Sequence, residues 1–180
     1  EIKIDKLELF GEAIFTKNGL SGPIVLDISS EITDNLQKPK KLTIDFKPAL
    51  DIQKLDQRIL RDFEEMKNKK FKNCLDKLLP QKLIPIIIKL SKIDENKPCN
   101  LITKQERLNL VNLIKNFEFN VIAVDGFDKA IITKGGVDLT EIEPKTMQSK
   151  VIENLYLAGE ILDLDGPTGG YNLQVAWTTG

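Results

Sequence analysis

The stretch Leu155-Tyr156-Leu157-Ala158-Gly159-Glu160-Ile161-Leu162-Asp163-Leu164-Asp165-Gly166-Pro167-Thr168-Gly169-Gly170-Tyr171-Asn172-Leu173-Gln174 is the most informative part of this chain. Residues 155–158 read as a short, fully apolar strand of the buried kind. An acidic loop follows, then the pair Gly169-Gly170, then a helix over residues 171–179. A turn of this type brings the backbone N–H groups of a helix N-terminus close to a ligand, because Gly169 and Gly170 carry no side chains to block the approach. The positive end of the helix dipole favours negative charge at the same place. Glu160, just past the strand end, is positioned to accept hydrogen bonds from sugar-like hydroxyls.

Upstream of this unit, residues 117–124 and 129–133 have the composition of strands. The turn Asp125-Gly126 between them suggests a hairpin, and Gly135-Gly136 follows. From about 51 to 115 the period is helical. Ile52, Leu55, Ile59, Leu60 and Phe63 form one stripe. Residues 71–79 and 81–90 suggest two shorter helices, with Pro80 at the start of the second. Residues 94–101 form a polar loop, and Thr103 with Glu106 fits a capping box for a helix carrying Leu108, Val111 and Ile114. This block reads as a cap or insertion packing on its own apolar faces. Nearer the start, residues 7–15 alternate as one or two strands around Gly11. A dense turn leads to Ser21, an expected N-cap, and to Pro23 in a first helical turn. Ile24, Val25, Ile28 and Ile32 share a helical face, and residues 42–46 alternate as a strand that ends at Pro48.

Composition narrows the function classes. The 180 residues are 41% hydrophobic and 29% charged, ordinary values for a globular chain. Lys and Arg total 26 against 27 Asp and Glu, a formal net charge of -1, so the total offers no electrostatic footprint for nucleic acid. The dense basic run Lys67, Lys69, Lys70 and Lys72 reads as a solvated helix end. The apolar stretch 83–90 is too short to cross a bilayer, and the opening residues lack the apolar run of a signal peptide, so a cytoplasmic setting is expected. Cys74 and Cys99 are not in a CxxC, and reduced thiols are the default expectation. The chain has no histidine, which excludes Ser-His-Asp and Cys-His mechanisms within it and leaves no expectation of a metal site. Both ends read as cut from a longer protein.

Three stretches together carry a resemblance. The segment quoted first, with Gly11-Glu12-Ala13-Ile14-Phe15-Thr16-Lys17-Asn18-Gly19-Leu20-Ser21-Gly22-Pro23 and Thr133-Lys134-Gly135-Gly136-Val137, resembles the bacterial NAD(P)/FAD-dependent, aminoacetone-oxidase-like flavoproteins. The order of the parts is similar too, with a helical insertion between them. The resemblance implies an α+β fold: a β-barrel-like domain over residues 1–128, with a helical insertion at about 51–115. Residues 129–180 would then be the C-terminal return segment of a Rossmann-type FAD-binding domain. By the family pattern, Gly159 and Glu160 would lie near the ribityl or pyrophosphate part of FAD. Gly169, Gly170, Tyr171, Asn172 and Leu173 would approach the ribityl chain and the pyrimidine edge of the isoalloxazine. Residues 133–137 would lie near the flavin, although Lys134 departs from the small residue expected there.

The family's G-x-G-x-x-G turn has no counterpart among Gly11, Gly19 and Gly22, so the adenine half of the cofactor is expected on a missing N-terminal FAD-binding segment. Two readings of function follow. In the first, the chain belongs to an FAD-dependent oxidoreductase, contributing the substrate-side domain and part of the flavin site. The substrate is then a small molecule of unidentified type, and NAD(P) is implied by the resemblance alone. In the second, it is a non-catalytic scaffold or cap that packs on a nucleotide-binding domain. For the isolated chain, self-association or local disorder is expected after about residue 128, because its return strands would be open edges. Neither reading calls for nucleic acid, membrane or metal.

Overall fold

A computed structural model of the chain describes residues 1–33 and 36–180. The fold is α+β. Its strands are β1 (Ile2–Ile4), β2 (Leu7–Leu9), β3 (Ile14–Phe15), β4 (Leu20–Ser21), β5 (Lys40–Ile44) and β6 (Phe117–Val121). Its helices are α1 (Pro23–Ile32), α2 (Ile52–Glu65), α3 (Ile84–Ser91), α4 (Lys104–Lys115) and α5 (Tyr171–Thr179). Two compact units emerge: Glu1–Leu9 with Lys40–Asn120, and Phe10–Pro39 with Val121–Gly180.

In the first unit, β1 turns back onto β2 through Asp5 and Lys6, with Asp5 in the left-handed region at φ 50°. β1 also pairs antiparallel with β5, and β6 completes the order β2-β1-β5-β6. Period-two alternation buries Ile2, Ile4, Leu42 and Ile44 on one face. Lys3, on the other face, reaches Glu1 and Glu8 at 2.9 Å each. Asp51 caps α2 by accepting the Lys54 N–H at 2.7 Å, and that hydrogen bond holds its carboxyl below the usual range. Leu55, Ile59 and Phe63 bury one stripe of α2. Ile52 and Leu60, expected on that stripe, are exposed: Ile52 opens the first turn, and Leu60 follows Ile59 by about 100° of helix rotation.

The capping box on α4 is present as expected, with both Thr103–Glu106 bonds made. The Lys97 ammonium, together with the Thr103 backbone N–H, lowers the Glu106 carboxyl below its ordinary value. α2 and α3 both pack on α4. Arg107 joins α4 to Asp56 of α2 by two bonds of 2.6 and 3.1 Å. Lys115, at the end of α4, meets the buried Asp45 at 2.5 Å and donates to the carbonyls of Lys47 and Leu50.

Several expectations are corrected here. Residues 71–79 are not an α-helix. They form a 3-10 turn (Phe71–Asn73) followed by further turns, because the Phe71 and Lys72 N–H groups are taken by the carbonyls of Lys97 and Glu95. Their apolar face is still buried, through Phe71, Leu75, Leu78 and Leu79. α3 begins at Ile84, not at 81, with Pro85 in its first turn. The reduced-thiol expectation is overturned: Cys74 and Cys99 are bonded to each other. The polar loop brings them together by folding back on the 3-10 turn, where Cys99 N–H donates to Lys69 O at 3.0 Å.

In the second unit, β3 and β4 form a short ladder closed by Thr16 N–H to Gly19 O at 2.9 Å. Ser21 is paired in this ladder and does not cap α1. The cap is Gly22 at φ 104°, with no side-chain bond, and Pro23 follows as the first helical residue. Ile24, Ile28 and Ile32 are buried, and Gly11 is needed because a Cβ there would lie 2.3 Å from Ile24 Cγ2.

β6 ends at Val121, not 124, as β5 alongside it is itself only five residues long. Residues 129–133 form no strand and no hairpin. Local bonds from Lys129 N–H to Gly126 O and from Ala130 N–H to Phe127 O make a 3-10 turn (Phe127–Lys129) instead. The expected buried strand at 155–158 is only an isolated bridge between Gln148 and Tyr156. Residues 147–149 pair along one edge; Tyr156 is 60% exposed, and Leu155 and Leu157, which point to the other face, are half-buried. Among the described residues, no helix is long and apolar enough to cross a membrane.

Candidate functional site

All three stretches that carry the family resemblance fall within the second unit; bonds tie the second and third to each other and to α1, which follows the first. The segment after residue 158 turns at Gly159, φ 74°, into a 3-10 turn (Gly159–Ile161). The Gly159 N–H donates to Thr179 Oγ1 at 2.8 Å, which anchors this turn to the far end of α5. The Gly135-Gly136 stretch lies beside it. Val137 N–H donates to Ile161 O at 2.8 Å, and Asp163 N–H to Val137 O at 3.0 Å, a parallel bridge. Gly136 permits this approach, since a Cβ on it would stand 2.4 Å from Ile161 O. Glu160 Oε1 accepts the Thr133 N–H at 3.4 Å, so this carboxylate faces its own chain as well as solvent. Lys134 reaches the Ser30 carbonyl at 3.4 Å.

The glycine turn itself has two braces. Asn172 holds Gly166 by a reciprocal pair: its Oδ1 accepts the Gly166 N–H and its Nδ2 donates to Gly166 O, both at 2.8 Å. Asp27, from α1, accepts the Thr168 N–H at 2.7 Å through Oδ1. Between these braces Gly169 and Gly170 take φ values of 128° and 95°, a region that L side chains rarely adopt. Gly170 is the N-cap of α5, and no side chain caps that helix. The first intrahelical bond runs from Gln174 N–H to Gly170 O. The N–H groups of Tyr171, Asn172 and Leu173 are therefore the orphan donors of the first turn, at the positive end of the helix dipole. A Cβ built on Gly170 meets nothing within 4 Å, so glycine is required there by its left-handed backbone and not by crowding.

Each residue expected in the site is thus placed. Gly159 and Glu160 form the 3-10 turn, Gly169 and Gly170 form the left-handed pair, and Tyr171, Asn172 and Leu173 open α5. Asn172 differs from its neighbours, because its side chain is occupied by Gly166. Asp27 escaped the sequence reading: a carboxylate in mid-helix has no local signal, and its partner lies 141 residues away.

Comparison with known proteins places this arrangement. Residues 2–132 match the family described as the HI0933-like protein barrel and H2TH domain. The chain is similar to a 3-dehydro-bile acid delta(4,6)-reductase of Clostridium scindens, 34% identical over 94% of this chain and 42% of that protein. It is also similar to ribosomal RNA dihydrouridine synthases. That of Haemophilus influenzae is 34% identical over 94% of this chain and 40% of its own length. That of Escherichia coli is 31% identical over 92% and 40%. The chain spans about two fifths of the length of these curated relatives. The resemblance to an oxidoreductase flavoprotein family, read from the three motifs, agrees with these matches, and the chain belongs to the HI0933-like family.

Proposed function

We propose that this chain is part of an FAD-dependent reductase that acts on a carbon–carbon double bond conjugated to a carbonyl. The observation that carries the reading is the uncapped start of α5, braced by Asn172 and Asp27, in a chain so similar to two kinds of named relative. A delta(4,6) system beside a 3-oxo group and the uracil ring of uridine share that conjugated bond, and each gains hydrogen across it. FAD, when bound, supplies the two-electron chemistry.

The residues present fit that cofactor. Tyr171, Asn172 and Leu173 would offer backbone N–H donors to the pyrimidine edge, where negative charge develops on reduction. Gly169 and Gly170 keep the approach clear, and Gly159 and Glu160 would border the ribityl or pyrophosphate portion. Residues 1–128 would supply the substrate side and residues 129–180 the return into a Rossmann-type domain. A nucleotide-binding segment elsewhere in the protein would hold the adenine half and cover the exposed Leu173 and Trp177. That same exposed surface supports a second reading, a non-catalytic scaffold packed on such a segment.

An absorbance titration with FAD on the complete protein separates the two. Saturable flavin bands, bleached by a reductant and restored by a conjugated enone or a uridine-containing acceptor, are expected. A protein indifferent to FAD would leave the scaffold reading in its place.

A further inference from the structure

Cys74 and Cys99 stand 25 residues apart in sequence, and both are 2% exposed. Small domains use disulfides in place of a core that they are too short to build. The first unit already has a core, in Leu55, Ile59, Leu110, Val111 and Ile114. The two segments that carry the cysteines are also joined through their backbones. Phe71 N–H donates to Lys97 O at 2.9 Å and Lys72 N–H to Glu95 O at 3.1 Å. In the other direction, Cys99 N–H donates to Lys69 O at 3.0 Å and Asn100 N–H to Lys67 O at 3.3 Å. With the covalent bond open, these ties still hold the two sulfurs near each other.

The surroundings suit the reduced form as well. Cys74 Sγ lies 3.3 Å from the Lys70 carbonyl oxygen, one helical turn back in sequence. A thiol S–H donates a weak hydrogen bond in that position, whereas a disulfide sulfur has no proton to give. Cys74 therefore has a partner in either state. The span that the bond closes, residues 75–98, holds α3 and the turns on each side of it. α3 is anchored apart from the bond, through the buried Ile84 and Ile87 and its packing on α4. The ends of the span are less secured, for Lys72, Asn73 and Asn100, beside the cysteines, are exposed.

We propose that Cys74 and Cys99 form a thiol–disulfide switch that sets how freely residues 75–98 open. Local opening of the exposed turns admits the reductant to the buried sulfurs. The thiolate of a small-molecule thiol attacks one cysteine sulfur, forms a mixed disulfide and releases the other cysteine, which takes up a proton. A second thiol attacks the mixed disulfide and releases the first cysteine as its thiol, and the reductant leaves as its own disulfide. Two electrons and two protons pass to the protein, and a small-molecule disulfide runs the same steps in reverse. The closed bond removes open conformers of a long loop, and reduction returns them. The switch does not depend on the flavin reading.

The test is hydrogen–deuterium exchange on the complete protein in three samples: oxidised with glutathione disulfide, reduced with glutathione, and reduced then re-oxidised. Alkylation and mass spectrometry count the free thiols in each. Reduction should release two thiols and speed exchange over residues 75–98 by about tenfold. The amides of α2 and of the second unit should stay unchanged, and re-oxidation should restore the slow rates. Cys74→Ser/Cys99→Ala lacks the bond and keeps a donor for Lys70 O. It should exchange at the reduced parent's rate whatever the glutathione state. Cysteines that stay thiols in glutathione disulfide, or a bond that glutathione leaves intact, would overturn the switch. So would exchange rates unmoved by reduction. Loss of structure throughout the first unit, in the reduced parent or the variant, would overturn it too and make the bond a structural staple.

Discussion

In the first unit Leu55, Leu75, Leu110, Val111 and Ile114 are wholly buried, where α2 and α3 pack on α4. In the second unit the buried apolar residues reduce to Ile24, Ile28, Ile32, Ile142 and Leu162, while Ile131, Tyr156 and Leu173 face outward and Trp177 is 83% exposed. Composition does not separate the two units in this way; the placement of the apolar residues does. The first unit secures its geometry by exclusion of water. The second holds its own through directed hydrogen bonds, Asp27 to Thr168 and Glu160 to Thr133 between separate segments and Asn172 to Gly166 within the glycine turn. A region held that way keeps backbone donors available to a ligand, and an outward apolar surface suits a covering segment.

The largest expected effect tests the packed side of this contrast. Leu110→Ala should destabilise the first unit by about 3 kcal/mol, since a fully buried leucine loses both its transfer energy and its packing. Trp177→Ala should change the stability of the isolated chain by less than about 0.5 kcal/mol. Urea unfolding of both variants checks the pair, and comparable losses would break the contrast.

Next in size is the buried ion pair. Asp45→Ala leaves the Lys115 ammonium without its counter-charge and with two of its three donors on carbonyls, at a cost of about 3 kcal/mol at most. Hydrogen exchange of α4 amides reads it.

On the second unit, Asn172→Ala removes both bonds to Gly166. It should loosen the glycine turn by about 1–2 kcal/mol and weaken FAD binding about tenfold, with unfolding of the first unit unchanged. Asp27→Ala should act in the same direction, more weakly, through the single Thr168 bond.

The smallest effect sharpens the comparison from the first unit's surface. Thr103→Ala should cost about 1 kcal/mol by removing the cap of α4. Glu106, whose pKa lies below its ordinary 4.5, contributes stability that is complete above that value and is lost as the pH falls through the lowered folded-state value. In acid titrations monitored by circular dichroism, Glu106→Gln should therefore flatten the pH dependence on the acid side and leave neutral behaviour parallel to the parent.

How much of this was legible in the sequence depends on the range of the interaction. Some local signals hold, although Ser21 does not cap α1 and α3 does not start after Pro80. The Thr103–Glu106 box, the Ile24–Ile28–Ile32 face and the helix after Gly170 depend on residues within one or two turns of each other. Alternation and apolar runs misled where tertiary partners decide. Residues 71–79 have a helical stripe, but their N–H groups go to residues 95 and 97. Residues 129–133 and 155–158 have strand composition without a full partner strand, and short local turns win instead. The residues expected at the site were named from the motifs, and the braces that shape it were not. A side chain such as Asp27 acquires its role only when the chain brings residue 168 to it.

Hydrogen–deuterium exchange with and without FAD on the complete protein tests most directly whether the start of α5 is a flavin-facing donor cluster. Slowed exchange at Tyr171, Asn172 and Leu173 is expected on FAD addition, while the capped amides of α4 stay unchanged. Bound FAD with those three amides exchanging as before would contradict it.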